Sequence, residues 1–530
     1  MNSIISYSQA ENTLSLHEKI GQLFMPAAFI NDSEEEILHI EKLIKEQHIG
    51  GLCFFHSRAS AATNFEGQKK IVYNDNSFTT LKKLIKRYQS AAKYPLLISI
   101  DAEWGLAMRI ENTPQYPYAI TLGAIQNNTE LSYKVGQKIA NDCSAAGIHW
   151  NLAPVVDINN NPNNPVIGYR SYGEDKNKVT ENALAFIKGS ESKGVLTCLK
   201  HFPGHGDTEV DSHLGLPLIT KSKEELLKNE LFPFQQLINE GVDSIMAGHL
   251  SIPALADGDA IPSSLSKKML KNLLRDEMNF KGVVISDALN MHAVSKNYPI
   301  KGVLEWLAFD AGNDILCFAE HIPEGIETIK KNATLVQIEE SFKRIWHLKE
   351  KAFKLDFKAA KLSEAKELNQ AIATASLTLL KGDITNFDKQ NFIGIEITRK
   401  KINSTFFKNI TEQVSFKKIS SNENSIAEIQ HQIKEKNNIL LAIFPPKVKP
   451  GNLFDIRKEE IDFINEILQT KNVTLYLFGN PYVLNHIKTD KVKAVIIAYQ
   501  NFEEFQENAA KHFLGKNKAI GKVPITIKFI

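Results

Sequence analysis

Eight short apolar runs recur along the first two-thirds of the chain, each followed by a stretch with helical periodicity. They are IGQLFMPAAF (20–29), IGGLCFF (49–55), PLLISIDAE (95–103), IHWNLAPVVDI (148–158), GVLTCLKHF (194–202), DSIMAGHL (243–250), GVVISDAL (282–289) and NDILCF (313–318). The runs are continuous rather than alternating, as expected of parallel strands covered on both faces. Between them, ELSYKVGQKIANDCSAAG (130–147) and SKKMLKNLLRDEMNF (266–280) space their apolar residues near 3.6 and predict helices. Eight strand–helix units in roughly 340 residues match the closing number of a (β/α)8 TIM-type barrel. An open doubly wound sheet is the competing arrangement, but no G-x-G-x-x-G follows the first strand.

The segment 344–382 is charged and mostly helical, and reads as the last barrel helix running into a linker helix. A second α/β pattern follows. Strands are predicted at 392–397, 438–444, 473–479 and 493–500, with helices between them, for example 458–470. The expected organisation is a barrel domain over 1–355, a linker helix over 356–375 and a smaller α/β sandwich domain over 376–530.

In a barrel, functional side chains sit at the C-terminal ends of the strands. Here the third strand ends in Asp101, with Arg109 eight residues on. The fourth ends in Asp157, ahead of a loop carrying Arg170. The fifth ends in Lys200 and His201, the sixth in His249 and the seventh in Asp287. Asp287 can cap the next helix or act as a nucleophile on an anomeric carbon. In the glycine-rich loop after the fifth strand, Asp211 and His213 flank Ser212. A carboxylate against an imidazole makes a general acid/base; an Asx-turn is the alternative. Arg109, Arg170, Lys200 and His201 suit hydroxyls, an amide carbonyl or a carboxylate on a sugar, and Asp101 accepts from hydroxyls. Each also fits a structural ion pair, Asp101–Arg109 first among them. Trp104 is either a stacking platform or packing. His201, His205 and His213 have zinc-binding side chains. However, the chain has no H-x-H or H-E-x-x-H, and Lys200 beside His201 opposes a cation, so no metal and no cofactor is expected.

Together KHFPGHGDTEVDSH (200–213), ISDALNM (285–291) and IDAEWGLAMR (100–109) resemble glycoside hydrolase family 3, in its β-N-acetylglucosaminidase branch. The resemblance covers about residues 13–355, and the second domain is similar to the family's α/β sandwich. It implies a retaining mechanism with Asp287 as nucleophile. It makes His213 the acid/base, partnered by Asp211, and Asp101, Arg109, Arg170, Lys200 and His201 the substrate contacts. It gives His205 and Asp207 the role of shaping the loop. Many relatives read D-x-E-G-G where this chain has DAEWG, so Trp104 stands in place of a glycine near the sugar site.

The implied substrate is a terminal β-linked N-acetylglucosamine, in peptidoglycan fragments or chitin oligosaccharides. The alternatives are a phosphorylase, a β-glucosidase of the same family, and an inactive sugar-binding protein. With 63 basic and 61 acidic residues, a net charge of +2 predicts neither nucleic-acid nor membrane partners; a monomer or homodimer is expected. The N-terminal MNSIISYSQAENTLSL lacks a basic n-region and a long apolar h-region, which places the chain as given in the cytoplasm. A chain with its signal removed would look the same, and would be periplasmic or secreted. Four widely spaced cysteines, with no C-x-x-C, indicate neither a disulfide framework nor a zinc knuckle.

Overall fold

The computed structural model describes all residues except 1–3, 57–72, 210–214, 355–358, 386, 400–403 and 529–530. The chain folds into two compact units. The first comprises 1–116, 132–158 and 179–364; the second comprises 117–131, 159–178 and 365–530.

Every one of the eight apolar runs contains strand. In chain order they hold β1 (Phe24–Met25) and β2 (Ala27–Phe29), β3 (Gly51–Phe55), β4 (Leu97–Ile100), β5 (Trp150–Asn151), β6 (Leu196–Thr197) and β7 (Leu199–Phe202). The last three runs hold β8 (Ser244–Ala247), β9 (Val283–Ser286) and β10 (Leu316–Cys317). All pairings are parallel. β2, β3, β4, β5 and β6 pair in sequence, as do β7, β8 and β9. Bridges at Val155/Lys200 and Ile285/Ile315 join the successive segments, and β10 pairs with β1. Followed in order, the pairings return to the run in which they began. β4, β8 and β9 are buried at every position, which is why these strands lack polar alternation.

The helices follow local rules. The helix Glu34–Gln47 is capped by Ser33, whose side chain accepts from the Glu36 amide while Glu36 reaches back, and it buries Ile37, Ile40 and Ile44. Ser15/Glu18 and Ser222/Glu225 repeat the reciprocal cap. The helix expected over 130–147 spans Glu130–Ala146. The one expected over 266–280 is present as Lys268–Glu277 but wound as a π-helix, and ends with the Met278 amide on the Leu273 carbonyl at 2.8 Å.

The second unit is built on a six-stranded sheet. Its strands are β11 (Thr378–Gly382), β12 (Ile393–Ile397), β13 (Lys417–Ser420), β14 (Asn438–Ile443), β15 (Asn472–Leu477) and β16 (Ala494–Ile497), in the order β11-β16-β15-β14-β12-β13. Only β11 is antiparallel. Thr378–Gly382 lies in the stretch expected to be mostly helical. Its residues alternate poorly, and pairing with β16 makes it an edge strand. Two excursions of the first 355 residues also belong to this unit. Thr121 accepts from Gln500 at 2.8 Å, Asn159 bonds the Tyr482 hydroxyl, and the Glu174 amide bonds the Pro524 carbonyl at 3.1 Å. Gly173 (φ +135°) allows that last approach, since a Cβ there would lie 2.5 Å from the Pro524 oxygen.

Candidate active site

Within the first unit, parallel strands bring charged side chains to their C-terminal ends. Asp101 follows β4 directly, Asp287 follows β9 directly, Lys200 and His201 belong to β7, and His249 lies just past β8. Gly248 keeps the β8 end close to β7, because a Cβ there would sit 3.2 Å from the His201 Cβ.

Asp101 is the hub of an ion-pair network. Lys200 Nζ donates to its Oδ1 at 2.7 Å, and Arg109 donates to its Oδ2 at 3.0 Å. Lys200 Nζ also meets Glu103 at 2.8 Å, and its side chain is only 2% exposed. Burial would raise the Asp101 pKa, but Lys200 and then Arg109 outweigh it and hold the carboxyl at about 2. The Arg109 guanidinium lies 3.6 Å above the centre of the Phe55 ring. The ion pair expected between Asp101 and Arg109 is therefore present. It does not exclude a binding role, since both side chains remain 18% exposed.

Asp157 organises the start of the histidine loop. Its Oδ1 accepts the His201 amide at 3.2 Å and the His205 amide at 2.7 Å, and its Oδ2 meets His201 Nδ1 at 2.7 Å. Burial opposes ionisation of this carboxyl, but the two histidines and these bonds depress its pKa overall. An ionised Asp157 makes His201 Nδ1 the donor. His205 Nδ1 meets Thr208 Oγ1 at 2.7 Å, and Asp207 pairs with Lys221 at 2.7 Å. Lys221 also holds Glu230 at 2.6 Å. Asp211 and His213 lie outside the described residues.

Asp287 is partly exposed. Its amide donates to the Ala247 carbonyl, and its Oδ1 accepts the Ala288 amide, both at 2.8 Å. The next helix, His292–Ser295, is preceded by Met291, so Asp287 is not its cap. The fields of Asp101 and Asp287 both act on the buried thiols Cys198 and Cys317. Burial, with these carboxylates adding to it, pushes Cys198 up to about 12. Both carboxylates therefore lie within electrostatic reach of the same two thiols. Arg170 belongs to the second unit, and one of its guanidinium nitrogens donates to the Val166 carbonyl at 3.4 Å.

Sequence reasoning passed over Glu103 and Phe55 and did not count Asp157 as a site residue. Asp157 was visible as a strand-end carboxylate; Glu103 and Phe55 acquire partners only through neighbouring strands. Among the described residues there is no group of three or more His, Cys, Asp or Glu able to hold a metal ion. Nor is any described helix long and apolar enough to cross a membrane.

Residues 15–348 match the glycosyl hydrolase family 3 N-terminal domain. The chain belongs to glycosyl hydrolase family 3. Among similar proteins, a β-hexosaminidase A of Pseudoalteromonas piscicida is 32% identical over 65% of this chain and 61% of its own length. The match therefore spans less than two-thirds of that relative. A β-hexosaminidase of Neisseria meningitidis serogroup C is 35% identical over 49% of this chain and 72% of its own. Among solved structures, a family 3 β-N-acetylglucosaminidase from a Paenibacillus species superposes with a TM-score of 0.78 at 27% identity, covering 98% of this chain and all of that one. A β-glucoside phosphorylase superposes with a TM-score of 0.80 at 23% identity, a likeness of fold alone.

Proposed function

We propose that this protein is a retaining exo-β-N-acetylglucosaminidase that removes terminal β-linked N-acetylglucosamine from peptidoglycan fragments or chitin-type oligosaccharides. In this reading the circle of parallel pairings is a (β/α)8 barrel carrying the chemistry, followed by a linker helix and an α/β sandwich domain. The observation that carries the reading is Asp287: a partly exposed carboxylate directly after a parallel strand, in the same unit whose strand ends carry the Asp101–Lys200–Arg109 network. The relatives named β-hexosaminidase and β-N-acetylglucosaminidase support the choice of sugar.

The Asp287 carboxylate attacks the anomeric carbon and the glycosidic C–O bond breaks. His213, oriented by Asp211, gives its proton to the leaving oxygen. Water then attacks the glycosyl-enzyme, His213 takes the water's proton, and the Asp287 ester bond breaks. Asp101, Lys200, Arg109 and His201 hold the sugar's hydroxyls and acetamido group; Arg170 is carried over by resemblance alone.

The test is release of p-nitrophenol from the β-N-acetylglucosaminide and from the β-glucoside, with and without phosphate and with EDTA. Selective release from the acetamido sugar with a β-configured first product, unmoved by EDTA, is expected. Sugar 1-phosphate formed with phosphate would make the enzyme a phosphorylase, and preference for the glucoside a β-glucosidase. Binding without turnover would make it an inactive sugar-binding protein. Replacing His213 by Ala lowers kcat by roughly 10²–10⁴-fold, least for good leaving groups.

A further inference from the structure

We propose that His249 is a positioning residue for the turn that carries Asp287, and that it acts by clamping the peptide bond two places beyond the carboxylate's own amide. This rests on the reading of Asp287 as the nucleophile.

His249 is fully buried. Its Nε2 lies 3.0 Å from the Ala288 carbonyl, and its Nδ1 lies 2.7 Å from Ser264 Oγ. A carbonyl only accepts, so Nε2 carries the proton, and in the neutral ring Nδ1 accepts from the Ser264 hydroxyl. Ser264 is itself fixed. Its amide donates to the Gly248 carbonyl at 3.1 Å, and its carbonyl accepts from Asn313 Nδ2 at 2.7 Å. Asn313 Nδ2 also donates to the Ala308 carbonyl at 2.6 Å. Ser264 and Asn313 are fully buried, so the imidazole is held from behind by groups that have no water to exchange with.

The turn is gripped at successive peptides. The Asp287 amide donates to Ala247 O at 2.8 Å, which fixes the peptide entering Asp287. The Ala288 amide orients the carboxylate by donating to its Oδ1 at 2.8 Å. The peptide between Ala288 and Leu289 is clamped at both ends: its carbonyl by His249 Nε2, and its amide by Cys317 O at 3.0 Å. Rotation of that peptide about Ala288 would swing the Ala288 N–H that aims the carboxylate. A nucleophile must point within a narrow cone at the anomeric carbon, and a small misplacement is costly in rate. His249 supplies the restraint from just past β8, whereas Asp287 follows β9, so the turn cannot relax with its own strand.

Three substitutions separate this role from packing. Gln places an N–H donor where Nε2 is; Asn offers polar atoms only at the Nδ1 position; Phe fills the space with neither. On the p-nitrophenyl β-N-acetylglucosaminide, His249→Asn and His249→Phe are expected to lower kcat about ten- to a hundredfold with KM within about twofold. His249→Gln recovers most of the loss, and all three variants keep the wild-type far-UV spectrum. Equal kcat in all three and the wild type, or a loss in KM alone, overturns the proposal. Asp287→Ala run beside them tests the underlying reading separately. If that variant retains full activity, the nucleophile is misassigned, and the crystal structure of His249→Asn then decides: a displaced Ala288 peptide supports the clamp, an unmoved one overturns it.

Discussion

Both units bury parallel strands, yet their strand ends differ in kind. At or just beyond the strand ends the first unit presents Asp101, Asp157, Lys200, His201 and Asp287: Asp101 pairs with Lys200 at 2.7 Å, Asp157 with the His201 ring at 2.7 Å, and Asp287 accepts the Ala288 amide at 2.8 Å. In the second unit β14 and β15 run out into Phe444 and Phe478, whose rings stack nearly parallel, at 4°, with centres 4.5 Å apart. β16 runs out into Tyr499 and Gln500, and the Tyr499 hydroxyl bonds Thr378 at 2.9 Å. The same backbone geometry thus supports a polar, ionised cluster in one unit and a packed aromatic one in the other. Chemistry resides in the residues grafted at strand ends, not in the sheet.

The contrast breaks most directly at Asp287. Its replacement by Ala should lower kcat by about 10⁴-fold or more, measured with the p-nitrophenyl sugar; appreciable residual turnover would detach the strand ends of the first unit from the chemistry. Replacing Lys200 by Met comes next. It leaves Asp101 and Glu103 facing each other without their shared cation, and breaking a buried pair of this kind costs about 3–5 kcal/mol. Urea unfolding of the variant against the wild type reads this cost.

The pH dependence of stability sharpens the same point. Asp101 is held at about 2 against an ordinary 3.8, so its contribution is complete above about pH 4 and is lost as pH falls through about 2. The loss is about 2 kcal/mol, and the denaturation curves of Asp101→Asn should lack that part of the wild-type decline. The smallest effect belongs to the second unit. Phe478→Leu should cost about 1–2 kcal/mol in stability and leave kcat/KM within about twofold. A large kinetic effect there would erase the distinction between the two sets of strand ends.

Much of this was legible in the chain. All eight apolar runs of the first unit contain strand, and Asp101, Lys200, His201 and Asp287 stand at or within strand ends where the runs put them. The edge strand Thr378–Gly382 was not legible, because its β character comes from pairing with β16 more than a hundred residues away. The π winding of Lys268–Glu277 was hidden for a related reason: its apolar spacing satisfies either helix. Asp157 could be seen as a strand-end acid, but not as the group that ties together the amides of His201 and His205. Glu103 gave no signal at all until β7 brought Lys200 to it.

The sequence by itself determined which segments become strands, which become helices and which charged residues fall near strand ends. These properties are set by apolar periodicity and capping within a few residues of chain. Only the tertiary structure decided who partners whom: that Lys200 is shared by Asp101 and Glu103, that His249 holds the Ala288 carbonyl, and that 117–131 and 159–178 pack with the second unit. Those partnerships span tens to hundreds of residues. They arise when strand pairing brings distant segments together and burial obliges each charge and each N–H to find a partner.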